Sequence, residues 1–110
     1  MSRSNPQQLT AVFSALSDPT RRQILARLAE GPATVTELSE PLPISMPAVS
    51  RHLKVLEAAG LMRREKQWRT HTCHLVAEPL QDAGAFIDHY RRFWRDQLDQ
   101  LAAYVESEDP

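Results

Sequence analysis

Apolar residues near the start of the chain recur at helical spacing. Leu9, Val12, Phe13 and Leu16 fall at i, i+3, i+4 and i+7, which predicts an amphipathic helix over about Pro6–Leu16. Ser17-Asp18-Pro19 breaks that pattern and opens another helix, with Asp18 as N-cap and Pro19 at the first helical position. Ile24, Leu25 and Leu28 form its stripe, and Glu30-Gly31-Pro32 ends it. Thr34 and Glu37 have capping-box spacing, so a third helix begins there, and Pro41 and Pro43 keep it short. A fourth helix starts with Ser45 as cap, tolerates Pro47 in its first turn, and stops at Gly60. Two short strands follow, Leu61 to Lys66 and Thr70 to Leu75, around Gln67-Trp68-Arg69. The second alternates, with His71, Cys73 and Leu75 on one face and Thr70, Thr72 and His74 on the other. Pro79 opens a last helix to about Val105. The resulting order is α-α-α-α-β-β-α, mainly helical with one small β-hairpin.

The last helix carries the longest stripe. Leu80, Ala83, Ile87, Tyr90, Trp94, Leu98, Leu101 and Val105 are separated by threes and fours, close to a heptad seam, and Phe86, Phe93 and Ala102 widen it. A chain of 110 residues is a single domain and has little other surface to cover such a stripe. We therefore expect a two-fold interface in which Leu9, Val12, Phe13 and Leu16 of the first helix join Ile87, Tyr90, Trp94, Leu98 and Leu101 of the last. The expected domain covers residues 8–105, with flexible ends at 1–7 and 106–110.

Composition adds exclusions. Hydrophobic residues make up 42% and charged residues 25%, globular values that exclude wholesale disorder. No apolar run approaches the ~18–20 residues of a membrane span, and the first eight residues lack a signal-peptide core. One cysteine rules out an internal disulfide framework and fits a reduced compartment, so a cytoplasmic location is expected. The formal net charge of −1 conceals a separation. Residues 1–44 are balanced. Residues 45–75 carry Arg51, Lys54, Arg63, Arg64, Lys66 and Arg69 against Glu57 and Glu65, while acidic side chains dominate residues 76–110. A basic middle can sit on a polyanion with the acidic end directed away from it.

The fourth helix concentrates that chemistry. At 100° per residue, Val49, Leu53 and Leu56 fall within about 60° of one another and face the core. Pro47, Ser50, Arg51 and Lys54 lie on the outer side, with His52 on the flank. A helix with a small N-terminal end and long hydrogen-bonding side chains outside suits a major groove, and a short helix before it completes a helix-turn-helix. The basic hairpin resembles a wing on the DNA backbone or minor groove. For Trp68 at its tip we expect the indole to fold back on the hairpin, the alternative being packing on the ribose-phosphate surface.

Leu16-Ser-Asp-Pro-Thr-Arg-Arg-Gln-Ile-Leu-Ala-Arg-Leu28 and Pro47-Ala-Val-Ser-Arg-His-Leu-Lys-Val-Leu-Glu-Ala-Ala-Gly-Leu61 resemble the ArsR family of winged helix-turn-helix repressors, and the resemblance runs over about residues 8–105. It implies a homodimeric transcription factor on a palindromic operator, with residues 45–59 as recognition helix and residues 61–75 as wing. The DNA contacts it implies are Ser45, Pro47, Ser50, Arg51, His52 and Lys54, with Arg64, Lys66 and Arg69 of the wing. One departure is plain: many family wings have Gly at the tip, where this chain has Gln67-Trp68.

Many such relatives sense metals. Here no cysteine precedes Cys73, and Asp88 and His89 are adjacent on the last helix with no second His beside them. His71 and Cys73 share a strand face, but two ligands fall short of a tetrahedral zinc site. We expect no metal, no cofactor and a buried Cys73. A redox-responsive thiol, or a winged-helix module that binds protein rather than DNA, remains the alternative. No Ser–His–carboxylate order or glycine-rich phosphate loop suggests an enzyme, and nothing in the sequence designates an inducer.

Overall fold

The structure, a computed structural model, describes residues 5–107. Helix α1 spans Pro6–Leu16 and is capped by Asn5, whose side chain accepts from the Gln8 amide at 2.7 Å. Helix α2 spans Pro19–Ala29, with Asp18 accepting from the Arg21 amide at 3.0 Å. The Thr34–Glu37 capping box forms in both directions and starts the short helix α3, Val35–Ser39. Helix α4, Met46–Ala58, begins on Ser45, whose Oγ accepts from the Ala48 amide at 3.3 Å.

Helix α4 ends in a Schellman turn: the Leu61 amide donates to Leu56 and the Gly60 amide to Glu57. Gly60 has φ 78°, a left-handed conformation that favours glycine; a Cβ there would stand 2.7 Å from Gln8 Nε2, the end of a flexible side chain that can move aside. The turn sends the chain into strand β2, Met62–Gln67, which pairs antiparallel with β3, Thr70–Leu75. The Val76 amide closes the hairpin base on Leu61 O at 2.9 Å.

The hairpin expected from the sequence is part of a three-stranded sheet. A two-residue strand, Ala33–Thr34, precedes α3, and with it numbered β1 the sheet order is β1-β3-β2. Ala33 lies opposite Cys73 and Thr34 opposite Thr72. Two residues show no alternation, so this strand leaves no periodic signal.

Ile24, Leu25 and Leu28 of α2, Leu38 of α3, and Val49, Leu53 and Leu56 of α4 make one core with Leu61, Met62 and Cys73. Val12, expected at a two-fold seam, is corrected here: it is fully enclosed within the protomer together with Ala15. Helix α1 turns that side onto α2 and α4, and leaves Leu9, Phe13 and Leu16 half-buried on its other flank.

Helix α5 runs Glu78–Ser107, one residue earlier and two later than expected. Only Pro79 and Ala83 are buried, and from Ala85 onward every residue is exposed. Phe13 meets Phe86 edge-on at 5.8 Å, where α1 crosses α5. The rest of α5 projects, which gives the protomer extents of 74 × 35 × 22 Å. Of the flexible ends expected, Pro6 and Gln7 are instead helical, as are Glu106 and Ser107. Residues 1–4 and 108–110 lie outside the described residues. Within the described residues no helix is long and apolar enough to cross a membrane.

Candidate nucleic-acid interface

Helix α4 has one fully enclosed face, Val49, Leu53 and Leu56, and one polar exposed face. Ser45, Met46, Pro47, Arg51 and Lys54 are exposed, and Ser50 is half-buried. Packing fixes the inner face, so the outer side chains are carried on a rigid base. Arg51 and Lys54 stand three residues apart, close to one turn.

His52 is turned toward the protein rather than simply outward. Its Nδ1 lies 3.2 Å from Arg21 Nη1 and 3.8 Å from Asp18 Oδ2. The Arg21 backbone amide bond, together with the nearby charges of His52 and Arg21, holds the Asp18 carboxyl below its usual range.

The wing cations fall into two sets. Lys66 and Arg69 are exposed, as is Arg63, whose Nη1 is 3.4 Å from Glu65 Oε2. Arg64 is drawn back: it is half-buried opposite Cys73, with Nη2 3.9 Å from Glu57 Oε1 of α4. Arg64 is thus the least outward of the wing cations expected to contact DNA. The sequence carried a signal for this, because Arg64 shares a strand face with Met62, two residues earlier and buried. Arg63, a member of the same basic cluster but not one of the expected contacts, lies on the opposite, exposed face.

Trp68 does not fold back on the hairpin. It is 82% exposed, at the first central position of the two-residue turn between Gln67 and Thr70, with φ 57°. That turn position normally takes glycine. Arg69 lies over the indole, its Cζ 4.8 Å from the ring centroid.

Cys73 is free and fully buried, and burial pushes its thiol up, against a smaller lowering by Arg64. Among the described residues no group of three or more His, Cys, Asp or Glu is placed to hold a metal ion. On α5, Ile87, Tyr90, Trp94, Leu98 and Leu101 are all exposed. They continue the half-buried flank of α1 made by Leu9, Phe13 and Leu16.

Comparison with known proteins agrees with this geometry. A model described as a helix-turn-helix domain matches residues 16–65. The HTH-type transcriptional regulator Rv2034 of Mycobacterium tuberculosis is 41% identical over 96 residues, which cover 87% of either chain. The transcriptional repressor SdpR of Bacillus subtilis is 38% identical over 72 residues, 66% of this chain and 80% of SdpR. The crystal structure of an ArsR family transcriptional regulator is 39% identical with a TM-score of 0.78, over 86% of this chain and 97% of that one. With the recognition helix, wing and long terminal helix in the same order, this chain belongs to the ArsR family of winged helix-turn-helix transcriptional regulators.

Proposed function

We propose that the chain acts as a homodimeric repressor on a palindromic operator. The observation that carries the reading is the division of α4: an inner face with no exposure at Val49, Leu53 and Leu56, and an outer face presenting Pro47, Arg51 and Lys54. Ser45, Pro47 and Ser50 face base edges at the N-terminal end of the helix, where a groove-bound helix meets them. Arg51 and Lys54 take phosphates, His52 reaches the backbone through Nε2, and Lys66 and Arg69 bring the wing to the flank. The exposed stripe of α5, with the edge formed by Leu9, Phe13 and Leu16, closes the two-fold contact. Such a dimer sets its recognition helices roughly 34–36 Å apart, one turn of B-DNA. Repression is the direction carried by the name of its relative SdpR.

Fluorescence anisotropy on duplexes tiling the DNA upstream of the protein's own coding region tests this. One duplex is expected to bind tightly, with two chains per site and affinity that falls steeply with salt. Indifference to every duplex at low salt would overturn the reading.

A further inference from the structure

Trp68 is the one non-glycine residue with positive φ among the described residues. An aromatic side chain in that region is a true conformational outlier. Strain of this kind persists where the surroundings hold it and concentrates where a ligand is gripped. The protomer gains nothing visible in return, because the indole is exposed and its one recorded ring partner is the neighbouring Arg69. An aromatic ring at the tip of a β-turn, with one face under a guanidinium and the other open, is built to meet something outside the chain.

Charge decides what that is. Lys66 and Arg69 bracket the tip and both are exposed. Glu65, the acidic residue of the hairpin, is engaged by Arg63, Gln67 and His74. The tip therefore presents net positive charge around an apolar plate, a combination that fits a sugar-phosphate backbone. The stacked indole also restricts Arg69, so the guanidinium loses less freedom when it enters a groove. Narrow A·T minor grooves attract an inserted Arg by their stronger negative potential.

Resting on the operator reading above, we propose that Trp68 is the wing's minor-groove anchor: its open face packs on deoxyribose, it aims Arg69 into the groove, and the wing thereby selects A·T-rich flanks. Trp68 is then a specificity residue and Arg69 the cation it positions.

The test selects a binding duplex from a random library with the full chain. Affinity is then measured on that duplex with its flanking pairs made A·T, G·C or inosine·C. Inosine·C keeps the major-groove pattern of G·C and lacks only the 2-amino group, which lies in the minor groove. Wild type is expected to prefer A·T flanks over G·C by about tenfold, the scale of one discriminated base pair, with inosine·C restoring affinity. Trp68→Gly and Trp68→Ala should bring the three affinities together while still binding the central sequence, and Trp68→Phe should keep part of the preference. Unchanged flank preference in Trp68→Ala, or no preference in wild type, would each overturn the anchor while leaving the operator reading intact. Failure to select any duplex at low salt would overturn the operator reading, and the anchor with it.

Discussion

Arg21 Nη1 stands 3.2 Å from His52 Nδ1, and through this pair the first turn of α2 is bonded to the middle of α4. The same guanidinium donates through Nε to Ala15 O at 2.8 Å and through Nη2 to Ser14 O at 3.1 Å. One planar side chain thus joins the end of α1, the start of α2 and the recognition helix. Arg21→Ala leaves those carbonyls without their charged donor and should cost about 1–3 kcal/mol in urea unfolding. Arg21→Lys should recover little of it, because a single ammonium does not reproduce the fork.

Acid should loosen the same joint. The Asp18 carboxyl is held low chiefly by the Arg21 amide, so its folded-state value lies below its unfolded one. The stability it contributes is present above the ordinary Asp value of about 3.9 and is lost as pH falls through the depressed value. Asp18→Asn, which keeps an N-cap acceptor, should flatten this part of the acid limb when urea midpoints are followed downward in pH.

Leu53 and Lys54 are neighbours in sequence with opposite duties. Leu53 has no exposed surface, and Leu53→Ala should lower stability by about 2–5 kcal/mol. Lys54 is exposed, and Lys54→Ala should leave stability within about 0.5 kcal/mol of wild type. It should instead weaken DNA binding and reduce the salt slope by about one.

Trp94 is 63% exposed on α5, where a charge costs the protomer nothing. Trp94→Glu should yield monomers by sedimentation with an unchanged protomer fold by circular dichroism. An unchanged dimer mass would refute the assigned seam.

Cys73 should behave as a packed apolar residue. With its thiol fully enclosed and pushed upward by burial, it should react with a thiol reagent only as fast as the protein opens. Because the folded-state value is raised, the stability linked to this thiol holds below its ordinary value of about 8.5 and declines as pH rises beyond it. Rapid labelling of native protein near neutral pH would reopen the redox reading.

Much of the fold was legible because its signals are local. Asp18, Thr34 and Ser45 each bond an amide three residues on, and Gly60 answers a turn that few other residues can make. The outer face of α4 was readable from its period for the same reason. What escaped depends on distance or on context. Arg21 and His52 are separated by 31 residues. The partner that makes Ala33–Thr34 a strand lies on β3, far along the chain. Val12 and Phe13 are adjacent members of one apolar stripe, and only the position of α4 decides which is enclosed. The backbone of Trp68 runs against residue preference, so preference could not reveal it.

Helix α5 has 30 residues, about 45 Å at 1.5 Å each, and past the Phe13–Phe86 contact every described residue of it is exposed. A helix of some 20 residues standing alone is marginal in water. Its order is therefore borrowed from the second chain of the proposed dimer, and hydrogen exchange along its outer half becomes a gauge of protein concentration: slow in a crowded sample, fast on dilution. By the same mass action the pool of assembled regulator rises more steeply than the number of chains made, so the output of its own gene sets a threshold for occupancy.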